Sequence, residues 1–279
     1  MRLKEQSALV RDAVSTEYAE FVVFVTDLGG TTALMLLLAV LFWWSSRRRS
    51  ALVISYAIAG LALLLALKSL FALPRPPADA MLVPLEDEHT GYGFPSGHAF
   101  AATVVYGGLV SAYDRTRDRR ALLAAGTLVV LVSLSRVVLG VHYLGDVIVG
   151  VLLGIVFIAA MDRLTGGDPT TGFAIALVLS IPAVVIAGGT TDSLLGLGGS
   201  IGGLLGSQRL PDLPALRSRL EGFVLLVVGG GFVAVVQVAE SLVETVEPLL
   251  VVLYAMLLGG IFLAPAAVGR LEVDALESR

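Results

Sequence analysis

The sequence predicts an all-α protein, a polytopic membrane helical bundle of about nine spans with an N-terminal amphipathic helix. Of its 279 residues, 56% are hydrophobic and only 15% are charged, whereas about a quarter of the residues in a soluble domain are charged. The mean hydropathy is +0.88. Many apolar runs approach about 20 residues, the length at which a helix crosses a bilayer. This composition excludes a disordered chain.

Nine apolar runs separated by polar breaks are the predicted membrane spans. They lie at 28–46, 51–73, 97–113, 121–140, 142–162, 171–189, 193–208, 220–239 and 248–269. The seventh is short and glycine-rich, so it is either a full crossing or a re-entrant hairpin. We therefore predict an amphipathic segment at 1–27, a core of membrane helices at 28–168, and additional membrane helices of unknown role at 169–279.

The N-terminal segment has an apolar and a polar side when it is drawn as a helix. The apolar side carries Leu3, Ala8, Val10 and Val14, and the polar side carries Arg2, Lys4, Arg11, Asp12 and Glu17. This pattern indicates a helix lying at the membrane surface. A frayed terminal helix is the alternative.

The charged residues are distributed unequally between the two sets of loops. Arginines follow the odd-numbered predicted spans, at Arg47, Arg48, Arg49, Arg115, Arg117, Arg119, Arg120, Arg163, Arg209, Arg217, Arg219 and Arg270. The positive-inside rule makes that side cytoplasmic. Acidic residues mark the outer side, at Asp79, Glu86, Asp87, Glu88, Asp192, Glu240, Glu244 and Glu247. After the first span, only Lys68, Arg75 and Arg136 are basic on or near the outer side, so they either pair with loop carboxylates or have a specific function.

The first polar segment closes the second predicted span and runs from Lys68 to Pro76. Its prolines end the helix and can fold Arg75 back toward Lys68. Lysine offers a compact charge and arginine a planar fork, and both suit phosphate. The alternative is that both side chains snorkel to the membrane interface.

The second segment, Pro95-Ser96-Gly97-His98, leads into the third predicted span. Free backbone N–H groups and a hydroxyl at the start of a helix form a cradle for an anion. For Ser96 alone, an ordinary helix cap is the stronger interpretation. His98 is placed to donate a proton to a leaving oxygen, or it is a structural histidine.

The third segment runs from Ser135 and Arg136 through Gly140 to His142 and Asp146. His142 and Asp146 are four residues apart, which places them on one face of a helix. The carboxylate can then accept the proton of one imidazole nitrogen, so that the other nitrogen is a free nucleophile or base. The alternative is an ordinary His–Asp pair on a helix surface.

Together the three segments supply cations, an anion cradle, two histidines and an orienting carboxylate on one membrane face. Those are the groups that phosphoryl transfer needs, and the three cations make a metal or other cofactor unnecessary. The chain has no cysteine, which excludes disulfides and thiolate metal sites. Its net charge of −4 and the absence of a long basic tract argue against nucleic acid as a partner.

The three segments resemble the three signature motifs of the type-2 phosphatidic acid phosphatase superfamily, which also includes vanadium haloperoxidases and bacterial acid phosphatases. The resemblance covers roughly residues 50–165. It implies that His142 is the nucleophile that forms a phosphohistidine, that Asp146 activates it, and that His98 protonates the leaving group and later activates water. It also implies that Lys68, Arg75, Ser96, Gly97 and Arg136 hold the phosphate.

The chain departs from the family pattern outside the motifs. Membrane members commonly have six core spans with the first motif after the third, whereas here the first motif follows the second predicted span. Four further predicted spans follow residue 170. These spans contain no recognised motif, so their role is not predicted.

The resemblance implies an integral-membrane, metal-independent phosphatase acting on a lipid phosphomonoester or diphosphate, such as an isoprenyl diphosphate, a phosphatidylglycerophosphate-like lipid or phosphatidate. The expected location is the cell membrane, with the site on the extracellular or periplasmic face. The expected partners are the lipid substrate and membrane lipids, and a homo-oligomer is left open. The alternatives are a phosphotransferase using the same phosphohistidine, and a lipid transporter or scramblase with a vestigial site.

Overall fold

The computed structural model describes residues 2–84, 91–243 and 245–270. Its helices are α1 (Lys4–Asp12), α2 (Ala19–Asp27), α3 (Thr31–Trp44), α4 (Arg47–Phe71), α5 (Gly97–Ala102), α6 (Gly108–Ala112), α7 (Arg119–Val138), α8 (Leu144–Thr165), α9 (Pro169–Ala187), α10 (Thr191–Ser207), α11 (Arg219–Val243) and α12 (Glu247–Val268). Helix accounts for 79% of the described residues, which contain no strand. The all-α prediction is confirmed. Glu86, Asp87, Glu88 and Glu244, assigned above to the outer side, lie outside the described residues.

Within the described residues, six helices are long and apolar enough to cross a membrane, which indicates a multi-pass membrane protein. They are α4, α7, α8, α9, α11 and α12. The segments Thr16–Asp27 and Thr31–Trp44 are bent by 46° relative to each other and make a seventh span if the pair is counted as one. The predicted spans at 97–113 and 193–208 form shorter helices, so the count of nine is not confirmed. Hydropathy along a sequence detects apolar runs but neither bends nor helix length.

A helix does form near the N-terminus, although its placement on a membrane surface stays a prediction. It begins at Lys4, after Leu3 has turned the chain in the left-handed region at a φ of 54°. The prediction that Arg2 belongs to the polar side of this helix is wrong. Arg2 precedes the helix, and its side chain is only 14% exposed because it binds other residues of the protein.

The chain divides into two compact units, of which the first comprises Met1–Met35 and Leu64–Arg163. Helix α7 is central to it and contacts α1, α2 and α5. This helix begins where the Asp118 carboxylate accepts hydrogen bonds from the backbone N–H groups of Arg120 and Ala121, as helix N-caps do. At its other end α7 is largely buried and carries Arg136, one residue of the candidate site.

The second unit comprises Leu36–Leu63 and Leu164–Arg279. Helix α10 packs there against both α9 and α12. A side chain on Gly202 would overlap the Ala255 carbonyl of α12, and one on Gly203 would overlap the Phe173 ring of α9. The glycines therefore allow close helix packing. The segment is one continuous helix, not a re-entrant hairpin.

The turn between α7 and α8 depends on Gly140. Its φ is +75°, a conformation that residues with a Cβ rarely adopt. A Cβ at this position would overlap the carbonyl oxygen of Ala80, and the Leu82 N–H donates to the Leu139 carbonyl 3.1 Å away. The turn and the loop that follows α4 are thereby held together.

We expect Gly140→Ala to destabilise the protein by about 3 kcal/mol, because it combines a left-handed backbone with a steric overlap. Gly166→Ala is the matched control, since Gly166 has a φ of +56° but open space around it. That variant should lose only about 1 kcal/mol. Thermal unfolding of the two purified variants in one detergent measures the difference. Equal losses would show that the contact with Ala80 is unimportant.

Candidate active site

The predicted site residues meet where helices of the first unit end or begin. Lys68 lies near the end of α4, Arg75 in the loop after it, Ser96 and Gly97 at the start of α5, His98 in its first turn, Arg136 in the last turn of α7, His142 in the turn before α8, and Asp146 in the first turn of α8. Four of these residues are buried: Ser96 and Asp146 are 0% exposed, Arg136 is 1% exposed and His142 is 2% exposed. The sequence thus places polar side chains in the interior at this end of the helices.

The orientation of His142 is fixed by Gly93, which precedes the second motif segment. Its Nδ1 lies 2.7 Å from the carbonyl oxygen of Gly93. Because a carbonyl can only accept, Nδ1 carries the proton and Nε2 has the lone pair. Arg75 Nη1 lies 3.4 Å from Nε2. The unprotonated nitrogen therefore accepts from a cation, which is where an anionic group would approach.

Asp146 is placed differently from the prediction. Helix α8 begins at Leu144, so His142 precedes the helix and does not share a helical face with Asp146. The nearest carboxylate oxygen, Oδ2, is 3.7 Å from His142 Nδ1, which is beyond hydrogen-bonding distance. The same oxygen accepts the backbone N–H of Tyr143 at 2.9 Å. Asp146 thus caps α8 and acts on the imidazole through its charge.

Ser96 precedes α5, but its side chain does not cap the helix. The hydroxyl oxygen is buried and has no hydrogen-bond partner among the described residues. A buried hydroxyl without a partner is costly in a folded protein. The Ser96 backbone N–H donates to the Asp146 carbonyl at 3.1 Å, which joins the second segment to the third. The hydroxyl is available to a bound polar group.

Lys68 lies beside Gly97 at the start of α5. A Cβ on Gly97 would lie 3.6 Å from Lys68 Nζ. The ammonium group is therefore next to the backbone that follows Ser96. The positive end of a helix and a lysine side chain together attract an anion.

Arg136 contributes both its backbone and its side chain. Its carbonyl accepts the N–H groups of Val141 and His142, at 3.2 and 3.3 Å. Its guanidinium donates to the hydroxyl of Thr26, a residue of α2, at 3.1 Å. The residue therefore shapes the turn that holds His142 and adds a buried positive charge.

Burial lowers the pKa of His142 from its usual 6.5 to about 3. The positive charges of Arg136, Arg75 and Lys68 act in the same direction, and the Asp146 carboxylate opposes them. The imidazole is neutral at neutral pH as a result. A neutral imidazole with a free Nε2 is the nucleophilic form.

His98 lies against the break between α2 and α3. A Cβ on Gly30 would be 3.8 Å from His98 Nε2, and one on Gly29 would be 3.4 Å from the His98 carbonyl. These distances place the break between α2 and α3 beside the first turn of α5. The role of His98 as a proton donor stays a prediction.

The sequence interpretation missed Arg2 as a neighbour of the site. Its guanidinium binds both carboxylate oxygens of Asp146, with Nε 2.7 Å from Oδ1 and Nη2 2.6 Å from Oδ2. Arg2 precedes the first predicted span, where nothing in the charge pattern distinguishes it from Lys4 and Arg11. Only the folded chain brings position 2 to position 146.

A cavity of about 340 Å³ lies beside Arg75. Its walls come from the loop after α4, including Pro74, Pro76 and Met81, and from Tyr92 near the second segment. The cavity is therefore lined both by Arg75, a cation of the site, and by polar and apolar groups of the neighbouring loop.

Comparison with known proteins identifies one family that part of the chain resembles. No curated protein and no solved structure matches the chain. A family model, the PAP2 superfamily, matches residues 50–166, nearly the same stretch as the resemblance identified from the three motifs. That match confirms the resemblance over residues 50–166.

Proposed function

We propose that this protein is a metal-independent lipid phosphatase that works through a phosphohistidine on His142. Its substrate class is a lipid phosphomonoester or diphosphate, such as an isoprenyl diphosphate, a phosphatidylglycerophosphate-like lipid or phosphatidate. The PAP2 domain and the apolar helices fit a membrane phosphatase. The observation that carries the proposal is the hydrogen bond from His142 Nδ1 to the Gly93 carbonyl, which leaves Nε2 as the nucleophile.

The first half of the reaction forms a bond between Nε2 and phosphorus. The lone pair of Nε2 attacks the phosphate, the bond from phosphorus to the lipid oxygen breaks, and that oxygen takes a proton from His98. The imidazole becomes positively charged as the bond forms. The Gly93 carbonyl at 2.7 Å and the Asp146 carboxylate at 3.7 Å stabilise that charge.

The second half returns the enzyme to its starting state. His98, now neutral, removes a proton from water, the water oxygen attacks phosphorus, and the bond to Nε2 breaks. Lys68, Arg75 and Arg136 neutralise the phosphate oxygens in both halves, together with the Ser96 hydroxyl. The proton stays on Nδ1 throughout, donated in a hydrogen bond to the Gly93 carbonyl.

We propose that the site opens to the extracellular or periplasmic face of the cell membrane. It lies at the C-terminal ends of α4 and α7 and at the N-terminal end of α8. The opposite ends of these helices carry Arg47, Arg119 and Arg163. Basic residues favour the cytoplasmic side, which supports an outer location for the site.

We expect His142→Ala to lower phosphate release by a factor of about 10³ or more, because the nucleophile is lost. The assay measures phosphate released from a panel containing phosphatidate, an isoprenyl diphosphate and phosphatidylglycerophosphate. Acid quenching with labelled substrate should trap phosphate on His142 in the wild type. Full activity in a folded His142→Ala protein would exclude the phosphohistidine.

We expect Ser96→Ala to lower kcat/KM by about 10- to 100-fold, because a hydrogen bond to a charged phosphate is lost. Ser133→Ala is the matched control, since its hydroxyl is also buried without a partner in the described structure but lies outside the three motifs. Neither change should lower thermal stability, because each removes an unpaired buried group. Identical kinetics in the two variants would remove Ser96 from the proposed site.

The pKa of His142 predicts how stability depends on pH. Because the folded-state pKa of about 3 lies below the unfolded value of 6.5, the unfolded chain binds a proton that the folded chain does not. Between pH 6.5 and about pH 3, the wild type should therefore lose about 1.4 kcal/mol per pH unit relative to His142→Gln. Denaturant unfolding of both proteins at several pH values measures this. Parallel curves would show that His142 is not buried in its neutral form.

A further inference from the structure

All three nitrogens of the Arg2 guanidinium donate hydrogen bonds to residues around His142. Its Nε and Nη2 bind the two oxygens of Asp146, and its Nη1 donates to the Pro74 carbonyl at 2.6 Å. A Cβ on Gly93 would lie 2.9 Å from Arg2 Nη2. One side chain thus touches the loop of the first motif, the segment before the second, and the carboxylate of the third.

The backbone around Arg2 is also hydrogen-bonded to the start of α8. The Gly145 N–H donates to the Arg2 carbonyl at 3.2 Å, and the Leu144 N–H donates to the Ser7 hydroxyl at 2.8 Å. Both donors belong to the first turn of α8, where N–H groups lack partners within the helix. A Cβ on Gly145 would be 2.9 Å from the Arg2 Cα. The N-terminal segment is therefore docked on the start of α8.

These contacts decide which acceptor His142 uses. Asp146 Oδ1 is bound by Arg2 Nε, and Oδ2 is bound by Arg2 Nη2 and the Tyr143 N–H. Two charge-assisted bonds in a bidentate pair hold a carboxylate strongly. With its carboxylate held in this way, Asp146 stays 3.7 Å from Nδ1, and the imidazole donates to Gly93 instead.

We propose that Arg2 is a positioning residue for His142, in addition to the groups that the three motifs supply. It fixes the Asp146 carboxylate at 3.7 Å from Nδ1, where the carboxylate acts through its charge, and it binds the Pro74 carbonyl, next to Arg75, with the same guanidinium. This proposal rests on the proposed function. Arg2 acts through Asp146 and Gly93 and binds no substrate itself.

Without Arg2, the Asp146 carboxylate is free to turn toward Nδ1. An ionic partner in place of a neutral carbonyl favours the protonated imidazole. The other charged groups around His142 are Arg136 at the end of α7, Lys68 in α4 and Arg75 in the loop after it. His98 of α5 is the other titratable group of the proposed site. These groups stay in place, so any change in the protonation of His142 reports the loss of Arg2.

The experiment compares Arg2→Gln and Arg2→Lys with Lys4→Gln. Lys4 is the matched control because its ammonium, like the Arg2 guanidinium, lies over the Tyr143 ring, at 5.4 Å and 4.6 Å from the centroid. With phosphatidate in detergent micelles as substrate, we expect kcat to fall about 10²-fold in Arg2→Gln while KM changes less than about twofold. Arg2→Lys should recover part of kcat, and Lys4→Gln should match the wild type.

A second measurement does not depend on activity. Cleavage at arginine gives a peptide of residues 137–163 in which His142 is the single histidine, so its carbethoxylation can be followed by mass spectrometry. In the wild type the rate should stay constant from pH 7 to pH 5. In Arg2→Gln it should fall as the pH drops below about 6, since only a neutral imidazole reacts. The carbethoxylation rate at high pH reports how accessible His142 is to the reagent. The pH at which the rate has fallen by half reports the protonation of His142.

The outcomes separate the two proposals. If the wild type releases no phosphate from any lipid phosphate, the proposed function fails. The carbethoxylation rate of His142 as a function of pH, called the profile below, still tests the role of Arg2. If Arg2→Gln keeps wild-type kcat and the wild-type profile, Arg2 is not a positioning residue. A lower kcat with an unchanged profile also overturns the proposal, because it indicates a purely structural role. A lower kcat with a shifted profile supports it.

Discussion

The hydrogen bond from His142 Nδ1 to the Gly93 carbonyl is the interaction on which the rest of the site depends. It selects one imidazole tautomer and so decides which nitrogen is basic. The same bond joins the segment before α5 to the turn before α8, two parts of the chain separated by a complete membrane helix. Moving Gly93 would therefore change the chemistry of His142 as well as its position.

The buried charges near this bond are held by residues from the N-terminal part of the chain. Asp146 is 0% exposed and forms an ion pair with the Arg2 guanidinium, and Arg136 is 1% exposed and donates to the neutral hydroxyl of Thr26. Removing Arg2 would leave the Asp146 carboxylate uncompensated in a poorly solvated interior, which is far more costly than losing both members of the ion pair. The partners Arg2 and Thr26 come from the first 35 residues, outside the stretch that matches the family.

The sequence predicted well what is local and periodic. Runs of apolar residues identified most of the helices, and three short motifs identified residues that the fold gathers at one end of a helical unit. The start of α8 at Leu144 could not be anticipated, since hydropathy does not distinguish a turn containing His142 from a first helical turn. The contact of Arg2 with Asp146 joins residues 144 positions apart, and no local pattern encodes such a pairing. The span count was uncertain for a related reason, because bends and short helices depend on packing.

The described parts of the loop that follows α4, residues 72–84 and 91–96, are held by hydrogen bonds at several points. The Gly93 N–H donates to the Leu73 carbonyl at 2.8 Å, the Ala80 carbonyl accepts from Arg11, and the Leu82 N–H donates to the Leu139 carbonyl. The acceptors that this loop offers to Arg2 and His142 are backbone carbonyls, whereas the Met81 side chain lines the cavity. A substitution at Met81 therefore alters the cavity and removes no acceptor. For the phosphatase proposed above, substrate selectivity and the position of His142 could then change independently of each other.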